Sequence, residues 1–373
     1  MILVRKNPSV HSGRLEQWIG TERIEALSRS TRGWYGRPIP LLDLPGTVKL
    51  CGDGDFVGSF GRGYAASAAD ALWDAFKRAA RSPHGQFNAG FTSISDALAR
   101  ASGGFRQQRS IYKTGPTGVA GITSSLWRLG SQPAAGGAPS GAPGGTAFNS
   151  ATGGAIAFIN PAAGTLRLTG ADFMTTQAGN SLLLYDRLWG FQKTMNSSAN
   201  EAVTGVPTRY QNTSNVAEDY IGDNFISPEV GGTALAGTAH NWQNGLYTNQ
   251  AGTANQALPT FTGVASAIVD RLDSTLPVWF MPLASGDNGI KNLTRIAASA
   301  LVATGVMWFV IGHPIGFMVF PVVNLMTPFD WLTNRSQAPL IANDACLALY
   351  ELSKPTTTAT NYGGSIYAVS TAS

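Results

Sequence analysis

Charge is what this chain has least of. Lys, Arg, Asp and Glu make up 13% of its 373 residues, about half the roughly 25% of an ordinary soluble domain. Hydrophobic residues stand at 43%, so the deficit is not that of a disordered chain. Two cysteines, Cys51 and Cys346, exclude a disulfide framework and give no sign of an oxidising compartment. Cys346 lies in the apolar run Ala345 to Tyr350 and reads as core. The four histidines are His11, His84, His240 and His313. None has metal-ligand spacing to another His or Cys. No G-x-S-x-G element occurs, and nothing selects a Ser/His or Cys/His pair. The expectation is therefore not an enzyme, with no catalytic residue, metal or cofactor assigned.

Long apolar runs are missing too. Met1 to Val4 meets Arg5 and Lys6 at once, too short for a secretion signal. The longest run, Ala298 to Ile311, stops at Gly312-His313-Pro314, short of the roughly 20 residues a spanning helix needs. Val, Ile, Phe and Trp content and Pro321 favour two buried strands, with Gly312-His313-Pro314 as the turn between them.

What is abundant is small and uncharged. Glycine alone supplies 44 residues, which suits short strands joined by many turns. It also suits surfaces that bury against neighbours, where charge is depleted. The few charges are unevenly placed. Residues 1–113 hold 16 basic and 9 acidic side chains, net +7, and the remaining 10 basic and 13 acidic give net −3. This predicts two electrostatically distinct regions.

Four segments are expected. Residues 1–129 form a basic, partly helical region or arm. Helical spacing appears over 12–27, after Ser67 and after Ser93, where Ser93-Ile94-Ser95-Asp96 has capping-box spacing and Ile94, Leu98 and Ala101 share a face. Residues 130–154, rich in Gly, Pro and Ala, read as a linker or long surface loop. Residues 155–352 read as β-rich, with strands at Ala155–Ile159, Thr165–Leu168, Ser181–Tyr185, Pro277–Met281 and Leu347–Leu352 and exposed hairpins between Gly231 and Pro259. Residues 353–373 read as a polar tail, free or in contact with a neighbour. The fold class is mainly β with an α-containing N-terminal region and a β-sandwich or jelly-roll-like C-terminal part.

Several short motifs have a plain structural explanation beside a functional one. Gly52-Asp53-Gly54-Asp55 and Ser285-Gly286-Asp287-Asn288-Gly289 read as turns before calcium loops, the first lacking a Glu at position 12. Gly58 to Gly63 lacks the Lys-Ser/Thr of a phosphate loop. Trp242, Tyr247 and Trp279 are candidates for a sugar-binding face, with core packing the commoner role of such rings. Asp186-Arg187-Leu188 and Asp270-Arg271-Leu272 echo each other after apolar runs.

The strings Leu182-Leu183-Leu184-Tyr185-Asp186-Arg187-Leu188-Trp189 and Trp279 to Lys291 resemble tailed-bacteriophage virion proteins, over roughly 155–352. The resemblance implies a structural role in the virion, as a capsid decoration (cement) protein or another head-associated protein. It implies as partners the major capsid protein or other virion proteins, and a homo-oligomer. Nucleic acid and membrane are not among the expected partners. Arg5, Lys6, Arg14, Arg29, Arg32 and Arg37 are the candidate contacts to an acidic capsid surface, the alternative being an ordinary solvated surface. A major capsid protein, and a tail, neck or fibre protein holding a host glycan at Trp242 and Tyr247, are the competing readings.

Overall fold

The computed structural model describes residues 48–51, 55–58, 91, 93–117, 120–214, 220–332, 338–352 and 357–372. The chain divides into two compact units, Met1–Asn88 and Ala89–Ser373. The described part of the first unit is an antiparallel hairpin of β1 (Val48–Cys51) and β2 (Asp55–Gly58). The helices read over 12–27 and after Ser67 lie outside the described residues.

The second unit opens on α1 (Ile94–Arg100). The Ser93 hydroxyl accepts from the Asp96 N–H at 3.0 Å, the expected cap, and Arg100 donates to Asp96 one turn on at 2.8 Å. A π-helical turn, Ala101–Phe105, follows, with Gly104 at φ +93°. The expected buried face is shifted. Ala97 packs with Phe91 and Val369, while Ile94 and Leu98 are exposed. A helix of seven residues packed close against a strand buries its smallest side chain.

Strands make up the rest. In chain order they are β3 (Arg106–Thr114), β4 (Ser124–Ser125), β5 (Ser131–Gln132), β6 (Thr146–Ala147), β7 (Leu166–Thr175), β8 (Asn180–Thr194), β9 (Glu201–Ala202) and β10 (Phe225–Val230). Then come β11 (Asn241–Asn249), β12 (Gln256–Ala257), β13 (Phe261–Thr262), β14 (Ile290–Ala298), β15 (Val306–Phe320), β16 (Thr327–Asp330), β17 (Leu340–Ile341), β18 (Leu347–Leu352) and β19 (Asn361–Ser370). They build three antiparallel sheets: a central one in the order β10-β15-β8-β18-β4, a second in the order β12-β11-β14-β9, and a third in the order β16-β7-β19-β3-β5. The protein is thus mainly β, a small helical element followed by curled antiparallel sheets of jelly-roll-like form.

The central pair is β8 with β15, registered from Val306↔Thr194 to Phe320↔Asn180. Leu182 and Leu184 of β8 join Leu168, Phe173, Tyr362 and Ile366 of the third sheet in one core. Leu183 and Tyr185 face Trp127, Phe148 and Tyr350. Further along, Leu188 and Phe191 meet Trp242, Leu293 and Ile296 of the second sheet. Both faces of β8 are covered, which is why its sequence is a near-continuous apolar run instead of an alternation.

Several expectations change here. The apolar segment around Val310 is one strand, not two, and Gly312-His313-Pro314 is no turn. These residues pair with Arg187, Asp186 and Tyr185 inside β15, where the register shifts at Ile311/Gly312 and Pro314/Gly316. A bulge absorbs the proline without breaking the strand. No described helix is long and apolar enough to cross a membrane. Pro277–Met281 is not a strand, and Ala155–Ile159 contributes one isolated bridge, Ile156↔Leu347. Within the segment expected as a polar tail, β19 is the middle strand of the third sheet, between β7 and β3. Its polar residues alternate with buried Tyr362, Ile366 and Ala368, so composition alone conceals it.

The segment 130–154 lies inside the second unit, is tied to β3 and β8 by the short strands β5 and β6, and runs over two buried indoles. The Trp127 Nε1–H donates to the Gly137 carbonyl at 2.9 Å, and the Trp189 Nε1–H to the Gly144 carbonyl at 3.0 Å. A Cβ on Gly136 would sit 2.0 Å from Trp127 Cε2. Glycine is needed there because backbone lies directly on a ring.

Candidate interaction surface

Beneath the surface, β8 carries two adjacent charges into the core. Arg187 forms a fork with Glu229 of β10, Nη1 to Oε1 at 2.6 Å and Nη2 to Oε2 at 3.0 Å. Glu229 also accepts from the Tyr350 hydroxyl at 2.6 Å and from Ser125 at 3.2 Å. The Arg187 guanidinium lies 4.7 Å from the Trp127 ring centroid and 4.9 Å from that of Phe148. Burial is the largest single influence and lowers the Arg187 pKa, but the charge and hydrogen bond of Glu229 together with Tyr185 and Tyr350 outweigh it, and the net shift is upward. Asp186 accepts from Arg209 through both oxygens, at 2.7 and 2.8 Å, and from the Cys346 N–H at 2.9 Å. Burial raises the Asp186 pKa, opposed by Arg209.

The echoing triplet behaves differently. Asp270 is 3.6 Å from Arg128 and its carboxyl is raised to about 6, by burial first and by Glu229 in addition, against the opposing Arg128. Arg271 forms a backbone bridge with Ser124. The two triplets share letters, not a structural role.

At the far end of the β8–β15 pair from these charges lies an exposed apolar tip. The end of β15 and its connection to β16 read Val319-Phe320-Pro321-Val322-Val323-Asn324-Leu325-Met326 and carry no charge. Val319, Val322, Val323, Leu325 and Met326 are each between 43% and 56% exposed. The Asn324 N–H donates to the Thr175 carbonyl at 2.8 Å, and the Gly179 N–H to that of Phe320 at 2.8 Å. The tip is therefore held against the β7–β8 turn.

The patch continues onto the third sheet. Gly363 pairs with Tyr112 on one side and Met174 on the other, and both of these side chains are exposed. Thr327 pairs with Phe173, the residue next to Met174, so the tip leads directly onto this sheet. Seven half-exposed side chains of roughly 150 Å² each give on the order of 500 Å² of apolar surface. That is near the top of the roughly 300–600 Å² range for the largest patch on a monomer.

The residues singled out from sequence fall elsewhere. Arg5, Lys6, Arg14, Arg29, Arg32 and Arg37 lie outside the described residues. Trp242 and Tyr247 are buried, at 1% and 0% exposure. The Trp242 Nε1–H donates to Asp273 at 2.7 Å, and the Tyr247 hydroxyl to Asp287 at 2.5 Å. Neither ring offers solvent a face. Asp287 sits in a turn, its N–H donating to the Ala284 carbonyl at 3.0 Å and its carboxylate also held by Asn249 at 2.7 Å. Among the described residues no group of three or more His, Cys, Asp or Glu is placed to hold a metal ion. Sequence reading passed over the tip because an uncharged apolar run is the ordinary signature of core.

No family model and no curated protein matches the chain. Among solved structures, the chain has weak similarity to the structure of infectious bursal disease virus Gx strain, at 10% identity and a TM-score of 0.14. It is also weakly similar to the crystal structure of the infectious bursal disease virus VP2 subviral particle, at 9% identity and a TM-score of 0.13. Each comparison spans 71% of this chain and 81% of the other. Superposition at that level establishes no shared fold.

Proposed function

We propose that the chain is a structural protein of a virion, of tailed-bacteriophage type, acting as a capsid decoration (cement) or other head-associated protein. The observation that carries this reading is the uncharged apolar tip from Val319 to Met326. About 500 Å² of apolar surface is worth roughly 12 kcal/mol on burial at 25 cal/mol per Å². That is comparable to the roughly 4–15 kcal/mol cost of association. It supplies the apolar centre of an interface, whose full footprint is about 800 Å² per partner. A patch without charge imposes no electrostatic register, which suits repeated contacts with symmetric copies of one partner.

Low overall charge supports the same reading, because interface centres are depleted of charge. The decoration role is preferred to that of a shell-forming capsid protein because α1 is the longest α-helix among the described residues, and none forms a long spine. The partner is then the major capsid protein, with a second copy of the chain as a further contact.

Mass spectrometry of purified particles tests this. The chain should be present in stoichiometric amount, and Val323→Asp/Leu325→Asp should fold yet fail to incorporate. Absence of the wild type from particles, or normal incorporation of the variant, refutes the reading.

A further inference from the structure

One cleft in the second unit, of about 630 Å³, is not explained by assembly. Trp279, Phe280 and Phe317 line it together with Asp223, Asp287 and Asn288. Its volume falls in the roughly 300–1,000 Å³ range of small-ligand sites. The Trp279 ring stands edge-on to Phe280 at 5.1 Å and to Phe317 at 5.3 Å. Phe317 belongs to β15. The segment bearing Trp279 is tied to β10 by the Met281 N–H, which donates to the Ile226 carbonyl at 2.8 Å. The aromatic wall is therefore built on the central sheet.

The polar wall is equally fixed. The Asp223 N–H donates to the Asn288 carbonyl at 2.7 Å, which locks the two loops together. Asp223 sits at φ +69°, a conformation Asp and Asn tolerate better than other side-chain-bearing residues. Asp287 is oriented by buried Tyr247 and by Asn249. Three polar groups keep their capacity. Neither the Asp223 carboxylate, nor the Asn288 side-chain amide, nor the Trp279 indole N–H has a hydrogen-bond partner among the described residues.

The chemistry of these groups selects a ligand. Two carboxylates line the cleft and no Lys or Arg does, which disfavours an anion. A cationic side chain would use the carboxylates, the ring faces and the Asn288 carbonyl oxygen, but it has no acceptor for the indole N–H or the Asn288 NH2 group. A sugar uses everything. Each hydroxyl both donates and accepts, and the apolar C–H face of the ring covers an aromatic side chain. We propose that this cleft is a saccharide site for a neutral or amino sugar, stacked on Trp279 and hydrogen-bonded to Asp223 and Asn288.

The test uses the isolated full-length chain, so its outcome does not depend on the assembly reading. The protein is applied to an immobilised panel of N-acetylglucosamine, glucosamine, galactose and mannose oligomers, with sialylated and uronate oligomers and an arginine-rich peptide as controls. Binding to at least one neutral or amino oligomer is expected, tenfold or more weaker in Trp279→Ala. Because that variant also removes packing on Phe317, Asp223→Asn is the second arm. It keeps size and backbone tolerance, loses the carboxylate, and should weaken binding about fivefold. No binding to any neutral or amino oligomer overturns the proposal. So does equal binding by both variants, preference for the acidic oligomers, or binding of the arginine-rich peptide alone.

Discussion

Removing Arg187 should cost more than any surface change, and removing Glu229 with it should cost far less than the two losses added. The fork is buried, with side-chain exposures of 0% and 2%. Breaking such a pair from one side costs roughly 3–5 kcal/mol, because the remaining charge stays in the core uncompensated. In Arg187→Met, Glu229 keeps the Tyr350 and Ser125 hydroxyls, so the lower end, about 3 kcal/mol, applies. In Glu229→Gln, Arg187 keeps its two aromatic faces and the Tyr185 hydroxyl at 3.0 Å but no anion, and about 4 kcal/mol is expected. In the double variant no uncompensated charge remains. Its loss should be about 3–4 kcal/mol rather than the sum of about 7, a coupling of roughly 3 kcal/mol. Urea unfolding followed by tryptophan fluorescence reads this, provided the slope with denaturant is unchanged. Trp127, stacked on the guanidinium, reports directly on the site. Additivity of the two single losses within about 0.5 kcal/mol would refute the argument that the pair is the unit.

Other consequences are testable in the same way. Burial lowers His313 to about 4 from 6.5, so its stabilisation is complete above pH 6.5 and is lost as pH falls toward 4, by at most about 3 kcal/mol. Asp270, raised to about 6, acts in the opposite sense over the lower part of that window. The slope should therefore be read as wild type minus His313→Asn, and identical slopes would refute it. His240 donates to Asp273 at 2.9 Å and to the Thr238 carbonyl at 3.2 Å. Burial lowers its pKa, but Asp273 and Thr238 raise it further, for a net upward shift. Its stabilisation is present below pH 6.5 and fades as pH rises through the raised value, so His240→Gln should flatten the alkaline side of the melting-temperature profile. Gly136→Ala drives a methyl into Trp127 and should cost about 1–3 kcal/mol. Gly137→Ala, with open space at that position, should stay within about 0.5 kcal/mol in the same melt.

The legibility of this chain follows the range of the interactions involved. The Ser93 cap, the strands around Leu166, Leu182 and Leu347, and the mainly β class were readable, because caps, turns and apolar runs are local. The fate of each ring and charge was not. Trp242 and Tyr247 read like an exposed sugar face, yet both are sealed between the central and second sheets, while Trp279 ended in an open cleft. The tip from Val319 to Met326 and the strand core just before it are equally apolar in sequence. One is covered by two sheets and the other by none, and only the stacking order of the sheets separates them. Gly312-His313-Pro314 looked like a stop, but β8 alongside it supplied enough pairing to carry the strand through a bulge. The sequence determined that this chain would build uncharged sheets with many turns. Tertiary structure alone decided which apolar residues were left over to face a partner, since burial depends on neighbours distant in the chain.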